Sequence, residues 1–207
     1  MKILAISDIE SKYYYDHYVP GMLDEYDLIL SCGDLKKPYL EFLVTLANKP
    51  LLYVPGNHDD RFKDEPPEGC VCIDGKIYVH DGVRILGLGG SMRYRPGANM
   101  YTEKQMKRRI RRLWFSLWRH KGFDILLTHA PARGIGDLDD LPHRGFECFV
   151  HLLDRFQPKL FIHGHVHRNY GAFIPQKSRH GRTTVINAFD YCRIDYPNQK
   201  DASTISG

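Results

Sequence analysis

"CVCIDGKIYVHDGVRILGLGG", from Cys70 to Gly90, holds two Asp-Gly pairs, Asp74-Gly75 and Asp81-Gly82, between short alternating runs. Asp-Gly suits the tight turns whose central residues need positive φ, so the stretch predicts hairpins and an antiparallel section of sheet. Elsewhere the pattern changes. "KILAIS" (2–7), "DLILSC" (27–32), "LLYVP" (51–55), "RILGLGG" (84–90), "DILLTH" (124–129) and "KLFIHG" (159–164) are short and apolar throughout. Such runs read as strands buried on both faces. Segments with helical spacing, residues 40–48 and 147–155, lie between some of them. Alternation of this kind predicts an α/β layered fold, and the antiparallel section makes its sheet mixed.

The 207 residues suffice for one domain with a proper core, read here as residues 1–196, with residues 197–207 as a flexible tail. Hydrophobic content of 43% and charged content of 26% are ordinary for a globular protein, and a net charge of +4 permits an anionic substrate without implying a nucleic-acid binder. No apolar stretch is long enough to span a membrane, and "MKILAI" reads as a first strand rather than a signal peptide. Five cysteines with no C-x-x-C pair argue against a disulfide framework or a structural zinc site. A cytoplasmic location fits.

"FIHGHVHRN" (161–169) places His163, His165 and His167 two residues apart at the end of an apolar run. Alone it reads equally as a polar turn or as a set of metal ligands. Other runs end similarly: Asp8 and Glu10 after the first, Asp34 after the second, then Asn57, His58 and Asp59, then His129. In open α/β sheets ligands bind beyond the carboxyl ends of the strands, so all these side chains would meet on one rim. Turns do not need histidine, and a metal cluster accounts for the set better than turn chemistry does.

"D-x-E", "GD", "GNHD", "TH" and "GHVH", in this order from Met1 to about Tyr191, resemble the calcineurin-like metallophosphoesterase superfamily, in particular its small phosphoesterases, since "GDLKKP" lacks the V-D-R-G extension of the serine/threonine protein phosphatases. The resemblance implies a four-layer α/β/β/α sandwich with two mixed β-sheets. It also implies two divalent metal ions, one held by Asp8, the residue at position 10 and His167, the other by Asn57, His129 and His165, with Asp34 bridging. A metal-bound hydroxide would attack a phosphodiester or small phosphorylated metabolite. His58 would assist the leaving group as the catalytic acid, Asp59 would orient a nearby imidazole, and His163 would be structural. A phosphomonoesterase, a nuclease or a weakly active scaffold are the alternatives. The superfamily usually has histidine where this chain has Glu10. An added carboxylate favours Mn²⁺, with Fe²⁺, Mg²⁺ and Zn²⁺ as alternatives.

Four residues are candidates for binding substrate: Arg93 and Arg95 in "RYRPG", and His143 and Arg144 in "LPHRGF". "KQMKRRIRRLWFSLWR" (104–119) predicts one amphipathic helix, with Met106, Ile110, Leu113, Trp114, Leu117 and Trp118 on a core-facing stripe and Lys104, Lys107, Arg108, Arg111 and Arg112 in solvent. Aromatics among the cations would favour a polyanionic partner; on the stripe they argue against nucleic acid. Nothing here fixes the oligomeric state.

Overall fold

The computed structural model describes residues 1–169 and 174–197. In chain order the elements are β1 (Lys2–Ser7), β2 (Leu28–Ser31), α1 (Lys37–Ala47), β3 (Leu51–Tyr53), β4 (Val71–Cys72), β5 (Lys76–His80), β6 (Val83–Leu88), β7 (Ser91–Met92) and β8 (Met100–Tyr101). There follow α2 (Glu103–Arg112), α3 (Trp114–Arg119), β9 (Ile125–Thr128), α4 (Glu147–Phe156), β10 (Leu160–His163), β11 (Lys177–His180), β12 (Thr183–Asn187) and β13 (Asp190–Asp195). The expected tail beyond Pro197 lies outside the described residues.

Two mixed sheets carry the fold. One runs β13-β1-β2-β3-β4, the other β11-β12-β10-β9-β6-β5, and β7 pairs with β8 separately. In the first sheet β13 alone is antiparallel, and in the second β11 and β5 are the antiparallel edges. All six uniformly apolar runs become strands with a parallel neighbour, which fits burial on both faces. Ile3, Leu28 and Leu52 from one sheet share a core with Ile85, Ile125 and Ile162 from the other. The first sheet's other face packs Leu4 and Ile29 against Leu40 and Leu43 of α1. The second packs Leu126 and Phe161 against Met106 of α2, Leu117 of α3 and Phe149 of α4.

Asp81 and Gly82, with φ of 46° and 78°, close the β5–β6 hairpin that the sequence predicts. Asp74-Gly75 does something else. β4 lies in the first sheet and β5 in the second, so this pair is the crossing between sheets rather than a second hairpin. Asp74 fastens it by accepting from the Gly89 N–H at 2.6 Å and from the Arg109 guanidinium at 2.6 Å.

The predicted helix over 104–119 is also corrected. It breaks at Leu113 (φ −88°, ψ −1°) into α2 and α3. Met106, Leu113 and Leu117 are buried as expected, but Trp114 and Trp118 are 67% and 71% exposed. The break re-aims α3, so only Leu117 of its aromatic and aliphatic side chains turns inward.

Candidate metal centre

Four parallel strands deliver the candidate ligands to one rim. β1 leads to Asp8, β2 to Asp34, β9 to His129 and β10 to His165 and His167, while the turn after β3 brings Asn57 and His58. Ligand atoms of Asp34, His129 and His165 all lie within 4.8 Å of one another. Asp8, Asp34 and His165 sit in the left-handed region with φ of 70°, 56° and 67°. Non-glycine residues seldom adopt it, and such strain gathers at functional sites. Two glycines permit the approach of the loops. A Cβ on Gly56 would overlap the Asp34 carboxylate, and one on Gly164 would overlap Ser7 Oγ. The glycine in "HGHVH" is therefore there for contact with β1.

Two of the three candidate imidazoles are oriented by a backbone carbonyl. His129, fully buried, donates from Nδ1 to the Cys32 carbonyl (2.8 Å) and points Nε2 at Asn57 Oδ1 (3.0 Å) and Asp34 Oδ2 (3.3 Å). His165 donates from Nε2 to the Pro142 carbonyl at 2.7 Å, which leaves Nδ1 as its acceptor. Its backbone N–H meets both Asp8 carboxylate oxygens at 3.1 and 3.0 Å. His167 Nε2 is 3.7 Å from Asp8 Oδ1, and its ring lies against Phe189 with centroids 4.8 Å apart.

Electrostatics agree with a cation-seeking site. Burial opposes a charge on His129, but the Asp34 carboxylate outweighs it and raises the imidazole pKa. Burial likewise works to raise Asp34, and His129 holds it below the usual carboxylate range instead. His165 is pushed down by burial and then by the charge of His129, so its lone pair stays available. Asn57 Oδ1 and Asp34 Oδ2 both face His129 Nε2, and divalent cations fit this donor chemistry of carboxylate, amide oxygen and imidazole.

The other expected residues divide. His58 is solvent-facing, its Nε2 4.0 Å from Asp34 Oδ2, and its backbone N–H donates to Asp34 Oδ1 at 2.8 Å. Asp59 accepts from the N–H groups of Asp34 and Gly56 at 2.7 and 2.8 Å, so it holds the ligand loops rather than an imidazole. Burial and then the Asp34 charge raise it to about 6. His163 is buried with Nδ1 on the Gly164 carbonyl (3.0 Å), and burial lowers it to about 4, consistent with a neutral structural ring. Glu10 stands apart from the close triad: its Oε1 accepts from the Lys36 N–H (3.4 Å) and pairs with Lys36 Nζ (3.5 Å).

Of the substrate candidates, Arg95 reaches the site, with Nη2 3.5 Å from His58 Nδ1. Arg93 instead donates to the Met100 carbonyl at 3.2 Å and braces its own loop. The His143 ring is 5.3 Å from that of His165 and its Nδ1 meets Asp140 at 2.6 Å, whereas Arg144 donates to the Asp139 carbonyl. Sequence reasoning missed three supports. Asp137 gathers Arg133, Gly134 and Gly145 and so shapes the loop that presents the Pro142 carbonyl. Asn187 donates to the Val166 carbonyl between two candidate ligands, and Cys32 contributes only its carbonyl. Backbone acceptors carry no side-chain signal.

The calcineurin-like phosphoesterase family model matches residues 1–169. Two UPF0046 proteins of Caenorhabditis elegans are each 24% identical over 91% of this chain, covering 74% and 69% of their own length. The metallophosphoesterase domain-containing protein 1 of human is 36% identical over 80 residues, 37% of this chain and 22% of that protein. Among solved structures, TT1561 of Thermus thermophilus aligns with a TM-score of 0.62 at 17% identity, covering 91% of this chain and 89% of its own. The chain belongs to the calcineurin-like phosphoesterase family, whose members use divalent metal ions on phosphorylated substrates.

Proposed function

We propose that this family member is a dinuclear, manganese-favouring phosphoesterase of the cytoplasm that hydrolyses phosphodiesters or small phosphorylated metabolites, with diesters favoured and residues 1–196 as its single domain. The observation that carries the reading is the convergence of Asp34, His129 and His165 within 4.8 Å at the strand ends. Asn57, His129 and His165 would hold one ion, Asp8, Glu10 and His167 the other, and Asp34 both. When bound, the two ions polarise a phosphoryl oxygen and make a water nucleophilic at neutral pH.

The chain's own residues do the remainder. His58 is exposed beside Asp34, where it can meet an incoming phosphate and protonate the leaving oxygen. Arg95, beside His58, supplies a guanidinium for the non-reacting phosphoryl oxygens. Asp59, buried, keeps the Asp34 and Gly56 amides in register. Glu10 is the ligand under competition, since Lys36 already engages one of its oxygens.

The test is hydrolysis of a chromogenic phosphodiester beside its monoester, on chelated protein resupplied with Mn²⁺, Mg²⁺ or Zn²⁺. Diester cleavage led by Mn²⁺ supports the reading. Monoester preference keeps the mechanism and overturns the substrate class. In the same assay Glu10→His should move selectivity toward Zn²⁺; identical metal preferences in both forms would remove Glu10 from the ligand set.

A further inference from the structure

At the opposite end of the strands from the metal centre the surface has a different chemistry. Arg84, in β6, donates to the His120 and Lys121 carbonyls at 2.7 and 3.0 Å and pairs with Asp124 just before β9. That places α3 and its exit turn where β6 and β9 begin, whereas the candidate ligands follow the strand ends.

Trp114, Phe115 and Trp118 are 67%, 55% and 71% exposed, and adjacent rings lie 5.9 Å apart, so they form one patch. They include both tryptophans of the chain. Beside them a groove of about 1370 Å³ runs between α2–α3 and α4. Its apolar side chains include Ile110, Leu117, Leu152 and Phe156, and its cations are Lys104, Lys107, Arg111, Arg119, Lys121 and Arg155. The one acid lining it, Glu103, is committed to the Glu147 and Cys148 amides and to Lys107.

We propose that this end of the molecule docks on an anionic lipid bilayer, with Trp114, Phe115 and Trp118 entering the headgroup layer and the surrounding lysines and arginines meeting lipid phosphates. Tryptophan rings favour the boundary between water and hydrocarbon, and cations around an apolar face give affinity for anionic lipid. Charge complementarity selects this occupant over a neutral membrane. Exposed aromatics among cations would also stack nucleic-acid bases, but Ile110, Leu117, Leu152 and Phe156 alongside them offer a strand no hydrogen bonds and favour the bilayer. Docking here leaves the rim with the candidate ligands at the other end of the sheet, open to substrate from water.

The full chain is titrated with phosphatidylcholine vesicles, with and without phosphatidylglycerol, and followed by tryptophan emission and co-sedimentation. A blue shift and sedimentation with the anionic vesicles only, weakened by salt, is expected. Phe115→Ser keeps both reporters and should lower vesicle affinity about tenfold or more. Lys107→Glu with Arg111→Glu should do the same, with phosphoester hydrolysis unchanged in both. No shift with either vesicle, or equal binding by the charge-reversed variant, overturns the proposal. A shift with an oligonucleotide or an acidic peptide but not with vesicles overturns it in favour of that partner. Blue emission without lipid together with dimer sedimentation would assign the patch to a second copy of the chain.

Discussion

The two ends of the paired sheets obey opposite rules. At the carboxyl end nearly every polar side chain is held: His129 by Cys32 and Asn57, His165 by Pro142, Asp8 by the His165 amide and Asp59 by two further amides. At the amino end the large side chains of α3 lie on the surface, and what is fastened there is backbone, by Arg84. Order in the first case fixes donor atoms in space. In the second, the aromatic rings stay exposed, as the proposed docking requires. The lesson is that a crowd of imidazoles and a crowd of aromatics require opposite kinds of support.

The sharpest way to break the contrast is at Asp34. Asp34→Ala should lower kcat/KM by about 10³-fold or more and lose metal on desalting, as prolonged chelation of the native protein should; retained turnover would show that the rim is not the catalytic site. Next is the fastening of the other end. Asp124→Asn should cost about 2 kcal/mol in denaturant unfolding, because it removes the charge that accepts from Arg84 Nε and Nη2. Burial works to raise the Asp124 carboxyl, but Arg84 holds it below the usual carboxylate range. Its contribution is therefore present above the unfolded carboxylate pKa, roughly 3.9, and drains away as pH falls below that value. Thermal melts of Asp124→Asn should show a flatter acid limb than the native chain.

Smaller effects sharpen the picture. His58→Gln should slow hydrolysis by about 10²-fold with a poor leaving group and much less with a good one, as expected of proton donation. Arg95→Ala should raise KM about tenfold while Arg93→Ala perturbs mainly stability, since Arg95 faces His58 and Arg93 the Met100 carbonyl. Least of all, Trp114→Ser and Trp118→Ser should shift folding stability by no more than about 0.5 kcal/mol, the usual range for exposed positions. A cost of several kcal/mol would mean that the rings are packed after all.

Most of the layered fold was legible because buried parallel strands leave an unmistakable apolar signature, and the candidate ligands were legible because each closes such a run. What failed was information that is not local. Asp74-Gly75 has the composition of a hairpin turn, but which sheet receives the next strand depends on partners far along the chain. Trp114 and Trp118 fall on the stripe only if the helix continues through Leu113, and a single residue with ψ near zero rotates everything after it. Arg93 and Arg95 are indistinguishable in sequence because they differ only in which acceptor lies within reach. Glu10 was conspicuous, while Lys36, its partner, carries no motif at all.

The left-handed backbone at Asp8, Asp34 and His165 has a consequence for metal exchange. Conformations this unfavourable persist where the surrounding strands impose them, so the rim should keep its shape when an ion is removed. Stripping the metal should then be a fully reversible operation, with reloading governed by how fast ions arrive and shed water rather than by how fast a chain can refold. In this protein the memory of the metal resides in the polypeptide.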